Sequence, residues 1–257
     1  MKKYTEQEIQ GAEARVRELM RGFRLSGMAE RWEQMHQQQS WIEQPQVIQL
    51  EDLLNHEFER RSSNAIRRLI KQSNLPTQLL EADFAEFRLE ANRKIDMHKY
   101  TLLSTGDWMW RERPADLVIA GTTGVGKSYL AACCCKRAMA HKYRSYFVRA
   151  SRLFTELRIC EQQGSLEQKK AELARIPVLV LDDFLLEDMS EMDLSDLLHI
   201  IEDRAGKHPT IFTSQYPLET WIKRMKLNAL AETIVDRLAH SAYHLTLQGP
   251  SQREKVK

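Results

Sequence analysis

The sequence predicts an α/β fold: a five-stranded parallel sheet sandwiched by helices, preceded by a small all-helical N-terminal domain. Three observations predict it. Short apolar runs alternate with helical patterns from Pro114 onward, a glycine-rich stretch joins the first run to a helix, and the residues before Ser73 carry only helical periodicity. A chain of 257 residues has room for one such domain and a smaller attachment, and 42% hydrophobic content supplies a core.

In the N-terminal part, Leu54, Phe58, Ala65 and Leu69 share one side of a helical wheel and read as its apolar face. Arg60, Arg67 and Lys71 share another, flanked by Arg61 and Arg68. "SNLPTQ" (Ser73 to Gln78) breaks the helix, and a second helical stretch of mixed charge, "EFRLEANRKIDMHKYTLL", follows. The expected division is a helical N-terminal domain over 1–75, a helical linker over 76–113 and an α/β domain over 114–257.

The strand runs are "LVIA" (Leu117 to Ala120), "SYFV" (Ser145 to Val148), "VLVL" (Val178 to Leu181), "TIFT" (Thr210 to Thr213) and "YHLTL" (Tyr243 to Leu247). Pro114, Pro177 and Pro209 precede three of them, where a missing N–H costs no ladder bond. Nearly continuous apolar strands separated by helices indicate a parallel sheet covered on both faces. One of those helices is well marked: Ser190 and Asp193 form a capping box before the stripe Leu194, Leu197, Leu198 and Ile201.

Composition excludes several classes. The 38 basic and 36 acidic residues nearly cancel, so net charge argues neither for nor against nucleic acid. "MKKYTEQEIQ" has no apolar h-region after it, and no apolar run approaches a membrane span, so the expectation is a cytoplasmic protein without a membrane partner. Cys133, Cys134 and Cys135 are adjacent, and neighbours on a helix point about 100° apart, so they read as packing residues rather than metal ligands. His199, His240 and His244 are scattered, and Trp32, Trp41, Trp108 and Trp110 read as packing anchors.

"IAGTTGVGKSYL" (Ile119 to Leu130) carries the chemistry. It matches G-x-x-x-x-G-K-[ST] through Gly121, Gly126, Lys127 and Ser128, between a strand and a helix. Glycines let successive N–H groups turn toward anionic oxygens, and the helix N-terminus adds free amides and partial positive charge. The expected nucleotide cradle is Gly121, Thr122, Thr123, Gly124, Val125, Gly126, Lys127, Ser128 and Tyr129. Lys127 supplies a cation for the β/γ-phosphates, and the Ser128 hydroxyl a ligand for Mg²⁺. "VLVLDDF" (Val178 to Phe184) then places two acids at a strand's C-terminal end, where open α/β sheets bind ligands. Asp182 is the expected Mg²⁺ ligand, and Asp183 the group that orients or deprotonates the attacking water. The cofactors implied are ATP, or GTP on the loop alone, with Mg²⁺.

The chain resembles the ATPase helper proteins of IS21-type transposons, the IstB family, which are AAA+ proteins related to DnaC-type helicase loaders. The resemblance runs through "FRLSGMAERWEQM", "LNHEFERRSSNAIRRLIKQSNLP", "GTTGVGKSYLA", "VLVLDDF", "TSQYPLETW" (Thr213 to Trp221) and "IVDRLAHSAYHLTLQGPSQR" (Ile234 to Arg253). It implies an AAA+ P-loop ATPase using ATP. It further implies that Arg237 is an arginine finger reaching the γ-phosphate of a neighbouring subunit, hence a homo-oligomer through the ATP site; the residues alone leave open a surface pair with Asp236 or Glu232. Arg253 is a candidate second sensor. Gln215 stands where the family has a sensor asparagine, and Asp183 where many AAA+ proteins have glutamate. Both changes point to slow hydrolysis, a timing switch rather than a motor; the turnover expected is DNA-stimulated.

The resemblance also implies non-specific duplex DNA and a transposase as partners. Phosphate contacts have two sources: the basic face Arg60, Arg61, Arg67, Arg68 and Lys71, and the segment Arg149 to Ile176, which reads as two short helices broken at Gly164 with Arg149, Arg152, Arg158, Lys169, Lys170 and Arg175 available. The expected function is an ATPase that oligomerises on duplex DNA and assists a transposase in target selection and integration. The alternatives are a DnaC-like helicase loader and an ATP-gated DNA-binding scaffold with little hydrolysis.

Overall fold

The Thr5 hydroxyl accepts from the Glu8 amide while the Glu8 carboxylate accepts from the Thr5 amide, and this reciprocal cap starts α1 (Glu6–Gly22). Then come α2 (Ser26–Met35), the short α3 (Gln39–Ile42) and the long α4 (Gln46–Gln72). The structure is a computed structural model that describes residues 4–35, 38–87, 95–226 and 229–252. The chain falls into two compact units, Met1–Arg67 and Arg68–Lys257.

In the first unit Met20, Met28, Trp41 and Leu53 form the core, and Trp32 meets Trp41 edge-on at 6.1 Å. α2 and α4 touch where a Cβ on Gly27 would lie 2.8 Å from Glu57 Cα, so only glycine fits. That approach lets the buried Glu57 carboxylate accept from the first amides of α2, Gly27 at 2.6 Å and Met28 at 3.1 Å. Burial pushes this carboxyl up, but the bonds from Arg61, Met28 and Gly27 together hold it below its ordinary value.

The apolar face expected for α4 is corrected here: Leu54 is 52% and Phe58 65% exposed. α4 instead buries Leu53 and Glu57, because the close approach at Gly27 and the amides it presents choose which face turns inward. Leu69 does pack inward, against the core of the second unit.

That second unit is built on β1 (Asp116–Gly121), β2 (Ser145–Arg149), β3 (Val178–Phe184), β4 (Thr210–Ser214) and β5 (Ala242–Leu247). Among the described residues they form one parallel sheet in the order β2-β3-β4-β1-β5. The remaining helices are α5 (Met97–Thr105), α6 (Lys127–Ala140), α7 (Ala150–Gln162), α8 (Leu166–Ala174), α9 (Glu191–Arg204), α10 (Trp221–Arg224) and α11 (Ala229–Ser241). The break expected at Gly164 separates α7 from α8, and the capping box expected at Ser190 starts α9.

Strand alternation makes two cores. Leu117, Ile119, Val178, Val180 and Ile211 join α6 together with Leu79, Phe84, Phe87, Leu103 and Trp108. Val118, Leu179, Leu181 and Phe212 join α7, α8, α9 and α11 on the opposite face. Cys133, Cys134 and Cys135 are buried packing residues of α6, and burial pushes Cys133 and Cys135 up to about 12, so these thiols stay protonated. The edge strand β2 is covered by the chain itself: Ser73 O accepts from Phe147 N at 2.8 Å, and Asn74 Nδ2 donates to Phe147 O at 2.9 Å.

At the N-terminal ends of the strands Arg204 is 1% exposed. It donates to Thr210 Oγ1, Leu173 O, Ile176 O and Pro209 O at 2.6–2.9 Å, tying α8, α9 and β4 together. Asp116 Oδ1 accepts from Thr210 N at 2.7 Å beside it. Burial raises the Asp116 carboxyl to about 6, and burial lowers the Arg204 guanidinium to about 10.

Candidate active site

The site lies at the C-terminal ends of the same strands, the edge where open α/β sheets hold ligands. β1 ends at Gly121, whose backbone lies so close to Leu247 O of β5 that no side chain fits. The chain then turns through Thr122, Thr123, Gly124, Val125 and Gly126, with left-handed backbone at Gly124 and Gly126, and enters α6 at Lys127. Val125 is fully buried and anchors the loop, while Thr122 and Thr123 are exposed. The Lys127 side chain folds back along the loop, its Nζ donating to Thr122 O at 2.9 Å. The Tyr129 side chain leaves the loop: its hydroxyl accepts from Asp83 N and its ring lies beside Phe87, so the expected cradle could draw only on its backbone amide.

β3 does not end before its two acids, as the run "VLVL" implied, but continues through both to Phe184. A register irregularity between Leu181 and Phe184 brings Phe184 opposite Ser214 of β4. Asp183 sits inside it at φ +54, a left-handed conformation that costs a non-glycine residue about 1 kcal/mol.

Thr213 of β4 holds this arrangement. Its hydroxyl donates to Asp182 Oδ1 at 2.6 Å and accepts from Asp183 N at 3.0 Å, so one side chain positions both acids. Sequence reasoning gave Thr213 no role of its own; the only signal was its place in the "TSQYPLETW" segment.

Asp182 is buried, and burial raises its carboxyl above the ordinary range against the pull of hydrogen bonds from Thr213 and Ser128. Ser128, on the first turn of α6, is close enough to Asp182 to pull its carboxyl down. One buried carboxylate beside a hydroxyl is a hard-oxygen donor set that suits Mg²⁺, which takes few protein ligands and fills the rest with water and phosphate. No group of three or more His, Cys, Asp or Glu side chains suited to a metal occurs among the described residues. Asp183 is partly exposed, and Arg149, at the end of β2, approaches its carboxylate to 3.8 Å.

Gln215 follows β4 directly and is half-buried; register places it between the phosphate loop and the two acids. Arg237 lies apart from this cluster, half-buried on α11, where it donates to Glu202 of α9 at 2.6 Å. Its ion pair crosses to another helix instead of using Asp236 or Glu232. Arg253 lies outside the described residues.

The basic groups expected on the surface separate into engaged and exposed ones. Lys170 is buried against Asp196 at 2.8 Å, and Arg158 pairs with Asp193 at 2.7 Å, because α8 and α7 use them to hold α9. Lys170 is therefore not available to a ligand as the sequence implied, whereas Arg158 stays exposed beside its partner. Lys169 and Arg152 share Glu156; Arg60 pairs with Glu30 and Arg61 with Glu57. Arg67, Arg68, Lys71 and Arg175 are exposed, as are Arg61, Arg149, Arg152 and Arg158 despite their ion pairs.

Residues 18–257 match the family described as IstB-like ATP binding protein. An insertion sequence ATP-binding protein of Sinorhizobium fredii, y4pL, is 33% identical over 78% of this chain and 80% of its own length. Among solved structures, DnaI aligns with a TM-score of 0.58 at 24% identity, over 70% of this chain and 95% of DnaI. The DnaC helicase loader aligns with a TM-score of 0.55 at 22% identity, over 67% of this chain and all of the loader. At these identities the two structures establish the shared fold.

Proposed function

This chain belongs to the family of IstB-like ATP-binding proteins, and from that premise we propose that ATP, bound in the loop after β1, controls its assembly on duplex DNA. Family and fold make it an ATP-binding AAA+ ATPase. The further reading is that the assembled protein presents DNA to a transposase, and that hydrolysis dissolves the complex. It works in the cytoplasm. No helix among the described residues is long and apolar enough to cross a membrane.

The observation that carries the reading is the pair of acids held by Thr213 across from Lys127 and Ser128 at one sheet edge. Backbone amides from Gly121 to Tyr129 bind the phosphates, and Lys127 exchanges Thr122 O for a phosphate oxygen. Ser128 and Asp182 would hold Mg²⁺, which would supply positive charge to offset that of the phosphates. Asp183 accepts a proton from, or orients, the attacking water, and Gln215 offers an amide to the γ-phosphate. Arg237, leaving Glu202, stabilises charge on the nucleotide of an adjacent copy. Arg67, Arg68, Lys71 and Arg175, exposed rather than buried in ion pairs like Lys170, are the cations assigned to DNA phosphates. Affinity for DNA then falls steeply with salt.

Electron microscopy of the protein with duplex DNA, with and without a non-hydrolysable ATP analogue, tests this. The expected outcome is an oligomer on duplex DNA only with the analogue, and turnover in Arg237→Ala reduced by about a hundredfold or more with ATP binding retained. Single particles of one copy on DNA regardless of nucleotide, with wild-type turnover in Arg237→Ala, would remove the assembly reading. Preference for single-stranded DNA would favour a helicase loader. Phosphate release no greater than that of Lys127→Ala, with DNA present, would favour a scaffold.

A further inference from the structure

After β5 ends at Leu247 the chain turns at Gly249, φ +146, passes Pro250 and returns to the phosphate loop. There the Gln252 amide donates to Gly124 O at 2.9 Å. The Gln252 side chain closes the turn by donating to Pro250 O at 3.2 Å. Ser251 occupies the space a side chain on Gly124 would need, its Cβ and Cα lying 2.9 and 3.3 Å from that position. The segment therefore lies directly against the loop.

A trans peptide points its carbonyl and the following N–H in opposite directions. Holding Gly124 O outward with the Gln252 amide thus turns Val125 N–H toward the inside of the loop. Inside, Val125 N and Lys127 Nζ both meet Thr122 O, the former at a long 3.4 Å. Phosphate oxygens displacing this shared carbonyl would take both donors without a flip of the Gly124 peptide.

We propose that Gly249–Gln252 is a strap that pre-sets the phosphate loop, with the Gln252 amide and Ser251 as positioning residues for ATP binding. This rests on reading residues 121–129 as the nucleotide site. Gly249, Pro250, Ser251 and the backbone of Gln252 then each have a physical reason. A glycine turns the chain, a proline stiffens it, a small residue fits against Gly124 and an N–H holds its carbonyl.

The test separates backbone from side chain by titrating a fluorescent non-hydrolysable ATP analogue into the full chain. Gln252→Pro, which deletes the amide, weakens binding about tenfold, as loss of a hydrogen bond that orients a phosphate donor should. Gln252→Ala keeps the amide and recovers the affinity. Ser251→Asp, which sets a carboxylate beside Gly124, weakens the triphosphate more than the monophosphate. In turnover assays Gln252→Pro raises KM while kcat at saturating ATP stays within about twofold. Wild-type affinity in Gln252→Pro, or equal loss in Gln252→Ala, would overturn the strap. Lys127→Ala tests the underlying site: unchanged nucleotide binding in that variant would remove the loop reading itself, whatever the strap variants do.

Discussion

At the N-terminal ends of the strands, Arg204 is enclosed with all its observed bonds directed at fixed carbonyls and one threonine, and Asp116 stands next to it with its carboxyl raised to about 6. At the C-terminal ends of the same strands, Lys127 is held by a loop carbonyl it can exchange, Asp183 is partly exposed in a left-handed conformation, and Arg149 approaches it from 3.8 Å. One edge satisfies its charge within the fold. The other leaves an exchangeable lysine contact and a partly exposed acid at its surface. The difference shows why a buried charge is not by itself a site: Arg204 is more buried than Lys127 or Asp182 beside the phosphate loop, yet its geometry leaves nothing to offer a ligand.

The contrast can be broken by substitution. Removing Arg204 should have the largest effect, because it strands three buried carbonyls and the Thr210 hydroxyl at once. Arg204→Ala should cost about 3–5 kcal/mol of unfolding free energy, measured by urea denaturation, while ATP affinity of the folded protein stays near wild type. A loss confined to nucleotide affinity would show that the two edges are not separable.

At the opposite edge, Thr213→Val keeps the shape but removes the hydroxyl that joins Asp182 and Asp183. Turnover should fall about tenfold, roughly 1.4 kcal/mol of barrier, with little change in KM, and Thr213→Ser should restore it. A denaturation midpoint that falls as far as in Arg204→Ala, with kcat intact, would make Thr213 a packing residue.

The smallest effect is expected from Asp116. Its carboxyl is raised from 3.8 to about 6, so between those values the folded state holds a proton that the unfolded state releases. That contribution to stability is present below about 4 and is lost as pH rises through about 6. Asp116→Asn keeps an acceptor for Thr210 N but cannot ionise. It should therefore flatten the pH dependence in that window and raise stability at pH 7 by about 1 kcal/mol. A drop in stability at pH 7 would mean that attraction to Arg204 outweighs burial.

Much of the second unit was legible because its strands are short, apolar and buried on both faces, a pattern that needs no partner to be read. Pro209 and the run Thr210 to Thr213, the capping box at Ser190 and the break at Gly164 each depend on chemistry within a few residues. The first unit was less legible. Leu54 and Phe58 looked like a core face on the wheel, yet α4 turns Leu53 and Glu57 inward because Gly27, far off in the chain, lets α2 come close enough to be capped by Glu57.

By itself the sequence determined the parallel α/β architecture, the phosphate loop and the acids that follow the apolar run of β3, since each is a local run whose periodicity or spacing carries its own physical requirement. Only the tertiary structure decided that Thr213 joins the two acids, that Lys170 and Arg158 are spent on α9, that Arg204 locks the opposite edge, and that Gln252 holds Gly124. Those are contacts between distant segments. Hydrogen-bond geometry fixes them to within a few tenths of an ångström, and residue order along the chain carries no record of which donor will meet which acceptor.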